Sequence, residues 1–219
     1  MNKKNLITRL ILFFLGMTII QFGVGLSLVT NIGSDSFTVF TQGLSKVLHS
    51  TPGMANMLIL FVLTAIILLV DRKRINIGTF ICLIGVGPVI DFSIKIFSML
   101  PIDSYNIIIK ALLIVLVQFI IAVGFSILSA TNLGVAPNDI VPFIIQDKTK
   151  FQYRWIRMSL DATYLIVGFL LGGKVWIGTI ISMLTIGPFI QLCLPYGTRL
   201  VEFIVKTEDK ETIGQVIEN

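Results

Sequence analysis

The sequence predicts an all-α polytopic membrane protein of about six transmembrane helices, arranged as two inverted three-helix repeats with amphipathic or re-entrant segments. Three observations predict it. The 219 residues are 55% hydrophobic and 13% charged, with a mean hydropathy of +0.92, whereas soluble domains carry roughly 25% charged residues. The apolar residues are gathered into runs long enough to cross a bilayer, which takes about 17–25 residues. Short motifs from the first half recur, in order, in the second.

Six segments qualify as spans: 6–29, 54–70, 75–100, 107–129, 155–171 and 175–194. The first is too long for a removable signal peptide and lacks a small-residue cleavage site, so it is expected to remain as a helix. The third carries Asp91 and Lys95, the fourth Gln118, and the fifth Arg157 and Asp161.

Cations set the orientation. Lys3, Lys4 and Arg9 precede or open the first span, Arg72-Lys73-Arg74 follows the second, and Lys148, Lys150, Arg154 and Arg157 lie around the start of the fifth. The intervening junctions carry only Lys46 with His49, no cation at 101–106, and Lys174. Six spans with both termini in the cytoplasm put every cluster inside, as expected for a multi-pass protein of a bacterial cell membrane. Making spans of 31–49 and 132–150 would give eight. That count would move Arg72–Arg74 outside and carry Asp35 and Lys46 through lipid, at about 2.5–3.5 kcal/mol per central charge.

The repeat comes from three matches. Thr30-Asn31-Ile32-Gly33 returns as Thr131-Asn132-Leu133-Gly134 at an offset of 101. Ile77-Gly78-Thr79 returns as Ile177-Gly178-Thr179, and Gly87-Pro88 as Gly187-Pro188, both at an offset of 100. Residues 1–101 and 102–198 are therefore read as two repeats of one membrane domain, and 199–219 as a cytoplasmic tail. With three spans in each unit the second must start from the opposite face, the arrangement of many transporters whose sites lie near mid-membrane between the repeats. The Gly87-Pro88 and Gly187-Pro188 pairs read as helix breaks, because proline removes a backbone donor. Segments 32–49 and 133–150 are amphipathic; Ser34, Asp35 or Ser36 can cap the first, and Asn138 or Asp139 the second. Interfacial and re-entrant placements both fit.

These residues resemble a known family. Ile32-Gly33, Phe37, Val39, Gln42-Gly43-Leu44-Ser45, the two Ile-Gly-Thr and Gly-Pro pairs, Leu133-Gly134, Pro137, Asp139 and Leu170-Leu171-Gly172-Gly173 resemble the YczE/YyaS/YitT-like bacterial membrane proteins. The likeness spans 23–191 and is nearest to the shorter YczE type. Ser36-Phe37-Thr38 stands where that family has Pro-Trp-Asp, and Ala136-Pro137-Asn138-Asp139 where it has Gly-Pro-Arg-Asp, so one acid of the pair is replaced. The resemblance implies the fold and the membrane location, with transport suspected. It also adds weight to the arginine and acid of the fifth helix.

Asp139 is the first candidate for binding a substrate or ion, held ionised at a helix start. Asp91 with Lys95, and Arg157 with Asp161, are i,i+4 pairs inside or beside spans, where ionisable residues are functional candidates. Gln21 and Gln118 are expected to hydrogen-bond between helices, and Asn31 and Asn132 to shape turns. His49 reads as a solvated loop residue, and Cys82 and Cys193 as small apolar residues without metal-ligand spacing. No nucleophile–base set is visible, so no enzyme activity, cofactor or metal is expected. The net charge of +5 is topological, and no nucleic-acid partner is expected. The expected function is a small secondary transporter or permease for an unidentified small solute, driven by an ion gradient or by a partner and working by alternating access. The alternative is a non-transporting accessory that stabilises or regulates a partner complex. The one-sided acids favour it, Asp91 facing Gln191 and Asp139 facing Thr38 in the alignment of the halves. The bilayer is the first partner, and a homo-oligomer or membrane partner stays open.

Overall fold

The structure is a computed structural model that describes the backbone of residues 3–217 and the side chains of 5–205. Eight α-helices are formed among these residues: α1 (Lys3–Thr30), α2 (Ser36–Val47), α3 (Pro52–Asp71), α4 (Ile77–Phe97), α5 (Ile107–Ala130), α6 (Pro137–Thr149), α7 (Tyr153–Leu170) and α8 (Ile177–Ile217). Short 3-10 turns follow α3 and α4. Five helices, α1, α3, α4, α5 and α8, are long and apolar enough to cross a membrane. The expected fifth span is the helix α7, but Arg154, Arg157 and Asp161 within its 18 residues leave it outside that group.

Local chemistry sets the helix starts. Asp35 accepts from the backbone of Thr38 at the start of α2, and Thr51 Oγ1 accepts from Met54 at the start of α3, with Pro52 following. Proline suits the first turn because its missing N–H would have no helical partner there. At α6 the cap residue is Ala136, without a side-chain bond. Pro137 opens that helix, so the expected caps Asn138 and Asp139 sit inside its first turn.

Neither Gly-Pro pair ends its helix. Both α4 and α8 run through, since a proline removes one rung of the ladder while packed neighbours hold the rest. Helix α8 also continues past residue 198, because Val201 and Val205 pack against Leu12 and Ile127. The side chains of the expected acidic tail beyond Val205 lie outside the described residues.

The central pair is α1 and α5, which run antiparallel. A Cβ on Gly16 would stand 2.8 Å from the carbonyl oxygen of Gly124, and the converse distance is also 2.8 Å; only small residues allow backbones this close. Arg9 at the start of α1 donates to the Thr131 carbonyl at the end of α5 (2.8 Å). Helix α4 lies along α1 in the same direction, with Phe13 against Gly78 and Ser93 against Gly25. Helix α8 lies along α5, joined by Gln118–Ser182 and Ser126–Gly197. The short helix α2 runs parallel to α7, from Phe37 at Tyr164 to Lys46, which donates to the Gly172 carbonyl (2.7 Å). Likewise α6 runs parallel to α3, from Ile140 and Ile144 at Ile67 to an ion pair of Asp147 with Arg74.

The two Asn-x-Gly corners adopt one backbone form. Asn31 and Gly33 have φ of 57° and 97°, and Asn132 and Gly134 have 56° and 111°, left-handed values that asparagine and glycine tolerate best. Each corner docks on the first turn of the last helix of the other half. The Gly178 N–H donates to the Ile32 carbonyl (2.9 Å), and the Gly78 N–H to the Leu133 carbonyl (3.0 Å).

The halves differ in how their last two helices meet. Gly53 and Gly87 bring α3 against α4, where a Cβ on Gly87 would meet Met57 Sδ at 2.5 Å and the Gly53 carbonyl oxygen at 2.7 Å. The counterpart helices α7 and α8 scarcely touch. A Cβ on Gly187 would meet nothing within 4 Å.

Candidate functional site

Helix α7 is amphipathic in an inverted sense. Trp155, Met158, Ile166, Phe169 and Leu170 are exposed, while Tyr153, Arg157, Asp161, Tyr164 and Gly168 recur at spacings of four, four, three and four along the opposite face. That spacing makes one helical stripe, and it faces the two short helices. Gly168 at its end lets the Phe40 backbone approach, its Cβ position lying 2.6 Å from the Phe40 nitrogen.

Arg157 is the hub of the stripe. Its Nη1 donates to Asp139 Oδ1 (3.0 Å) and its Nε to Asp161 Oδ2 (3.2 Å). The three side chains are 37%, 25% and 29% exposed, burial enough to strengthen the attraction beyond that of a surface pair. Asp139 lies in the first turn of α6, where the free N–H groups and the helix dipole favour a carboxylate. Asn138 Nδ2 adds a bond to the same oxygen (3.3 Å).

A third carboxylate stands at the other end. Asp35 caps α2 through the Thr38 N–H (3.1 Å) and accepts from Ser34 Oγ (3.2 Å), and it lies within electrostatic range of Asp161. Asp161 is the ninth residue of the 18 in α7. Asp139, Arg157 and Asp161 are therefore bonded in a row from the N-terminus of α6 to the middle of α7, and Asp35 at the N-terminus of α2 stands near its end without a direct bond to it, making three carboxylates to one guanidinium. Aromatic rings border it. Tyr164 stands edge-on to Phe37 (5.3 Å between centroids) and stacks on Phe40 (5.7 Å), and Tyr153 lies against Phe143 (4.9 Å).

Of the residues singled out in the sequence, Asp139, Arg157 and Asp161 are brought together. The others lie apart. Asp91 does not pair with Lys95: its carboxylate accepts from Thr51 Oγ1 (2.6 Å) and the Gly53 N–H (2.8 Å), closing the start of α3. Gln118 is fully buried against Ser182. Gln21 is buried on α1, where its backbone carbonyl, not its side chain, accepts from Ser93 Oγ (3.1 Å). Asn31 and Asn132 form the left-handed corners. Asp35, Tyr153 and Tyr164 were not singled out as site residues. The α7 stripe was open to reading from its spacing, and Asp35 from its place before α2, but neither spacing tells which helix faces the other.

Two cavities lie elsewhere. One of about 450 Å³ opens between α5 and α8, lined by apolar groups such as Phe119, Ile127, Leu192 and Leu200. A half-polar one of about 280 Å³ is lined by Asn31, Gln42 and Asp103 among others. Neither is lined by the charged row.

Comparison with known proteins finds relatives along most of the chain. The profile of a family of unknown function, DUF6198, matches residues 7–195. The chain is 26% identical over 204 residues to the uncharacterized membrane protein YczE of Bacillus subtilis, covering 93% of each. It is 26% identical over 192 residues to the uncharacterized protein YyaS of the same organism, covering 84% of this chain and 92% of that one. An uncharacterized protein of Haemophilus influenzae is 26% identical over 187 residues, or 84% and 82% of the two chains. No solved structure matches.

Proposed function

Starting from a membrane protein that belongs to the DUF6198 family, we propose a small secondary transporter that moves an unidentified small solute by alternating access between two inverted repeats. The observation that carries this reading is the charged row that starts at the N-terminus of α6 and ends near that of α2. Ionisable groups inside a membrane are costly, and those retained there mark substrate or ion paths. Paired short helices that point their N-termini at a midplane site are a recurring transporter device.

Helix α7 is the fifth of six spans in this reading. Its 18 residues reach about 27 Å, its apolar face meets lipid, and its charges are turned inward and paired. The antiparallel α1–α5 axis and the reciprocal docking of the two corners support the inverted arrangement, with repeats at 1–101 and 102–198. Both termini are then cytoplasmic, beside Arg72–Arg74. The closed α3–α4 contact and the open α7–α8 pair support the alternation: in the opposite state α7 closes on α8 and α3 parts from α4.

The test is flux in proteoliposomes, using solutes first selected by their stabilisation of the purified protein. Asp139→Asn, Asp161→Asn and Arg157→Gln should each lower flux of a selected solute at least tenfold. Unchanged flux with all three neutralised rejects the proposal. A partner that co-purifies at fixed stoichiometry, with no flux of any solute, would instead support the accessory reading.

A further inference from the structure

A second polar cluster lies where the first corner meets α8, and its composition differs from the charged row. Thr179 and Ser182 are three apart on α8 and share a face. They are 1% and 0% exposed. Gln118 on α5, also 0% exposed, donates its Nε2 to Ser182 Oγ (2.7 Å). Two oxygens here have no hydrogen-bond partner, Gln118 Oε1 and Thr179 Oγ1. Buried polar atoms are paired in the great majority of cases, so two such oxygens on fully buried side chains, one bonded to Ser182 and the other one turn before it, call for an explanation.

The sequence repeat itself does not produce the orphan. Thr79, the counterpart on α4, donates to the Val135 carbonyl (3.1 Å). Around Thr179 the first corner supplies further oxygen. Gly33 passes so close that a Cβ there would overlap Thr179 Oγ1. The next residues carry a chain of hydroxyls, Ser27 Oγ donating to Ser34 Oγ (2.7 Å) and Ser34 Oγ to the Asp35 carboxylate (3.2 Å). Helix α1 ends at Thr30, three residues before Gly33, so the negative end of its dipole points into this corner.

The donor set is all oxygen, and its single carboxylate is Asp35, which also stands at the end of the charged row. Imidazole and thiolate, the usual ligands of zinc and copper, are missing from it. Calcium sites draw on several carboxylates, and no group of three His, Cys, Asp or Glu that could hold a metal occurs among the described residues. One negative charge among neutral oxygens matches a cation of charge +1. We infer that Thr179, Gln118 and Ser182, with the Gly33–Asp35 corner, form a binding site for a sodium ion. Sodium sites of this kind, at unwound backbone beside a half-helix, lie next to the solute in secondary transporters. The role as coupling ion rests on the transport reading; the site itself rests on the oxygens alone.

The test is thermal unfolding of the purified full-length protein in detergent, with sodium exchanged for choline or potassium at constant ionic strength. Sodium should raise the midpoint saturably and selectively, by roughly 3–6 °C at ten times its Kd. Thr179→Val and Ser182→Ala should each lose most of that response, whereas Thr179→Ser, which keeps the oxygen, should retain it. An equal response to all three cations, or a sodium response unchanged in Thr179→Val and Ser182→Ala, overturns the site. A selective response in a protein that carries no solute keeps the site and removes its coupling role. Solute flux indifferent to sodium, without a selective response, leaves transport standing and overturns the site.

Discussion

Replacing Arg157 with glutamine tests the charged row directly. The guanidinium holds Asp139 at 3.0 Å and Asp161 at 3.2 Å, so its loss leaves two half-buried carboxylates repelling each other with Asp35 nearby. Removing one partner of a fully buried pair costs about 3–5 kcal/mol, and an exposed pair is worth about 0.2–1 kcal/mol. With side chains 25–37% exposed, the expected loss falls between, at about 1–2 kcal/mol, or roughly 2–8 °C in the unfolding midpoint. The assay is a double-mutant cycle in detergent. Arg157→Gln with Asp161→Asn should be more stable than Arg157→Gln alone, because the second change removes a stranded charge. If the two losses simply add, or if Arg157→Gln is neutral, the row is not an interacting unit and the reasoning fails.

Three further outcomes are expected. Gly33→Ala forces a side chain onto a φ of 97° and against Thr179, with the Trp176 nitrogen at 2.9 Å; it should cost at least about 2 kcal/mol, seen as a lower midpoint and a lower yield of monodisperse protein. Asp91→Ala removes two bonds at the start of α3 and should lower stability by about 1–2 kcal/mol in thermal unfolding, with solute flux per folded molecule unchanged. Gly87→Leu should destabilise by about 1–3 kcal/mol through crowding against Met57 and Gly53, while Gly187→Leu should leave the midpoint unchanged and reduce flux, by blocking closure of α7 onto α8. Full flux in Gly187→Leu would argue against that closure.

The charged row was half legible in advance. Arg157 and Asp161 are four residues apart on one helix, and such neighbours can be read from spacing alone. That Asp139 completes the pair depends on how α6 docks against α7, across 18 residues and a turn. The same limit explains Asp91. Its spacing to Lys95 offered a local partner, but the unfilled N–H groups at the start of α3 compete for the carboxylate and hold it better than a flexible lysine. Asp35 was visible as a cap, and only the tertiary structure brings that cap within electrostatic range of Asp161. The Gly-Pro pairs recur at the same offset in the sequence, yet proline by itself does not end a helix whose flanks are packed.

By itself the sequence determined the membrane as solvent, the helical segments and the motifs shared by the two halves, because hydropathy, left-handed corner residues and caps act over a few residues. Only the tertiary structure decided which polar groups meet: that α7 turns its charges toward two short helices, that each corner caps the other half, and that α3 grips α4 while α7 stands off from α8. Those are long-range packing choices, fixed by close backbone approach at glycines such as Gly16, Gly53 and Gly168, and no local pattern encodes which partner each glycine will meet.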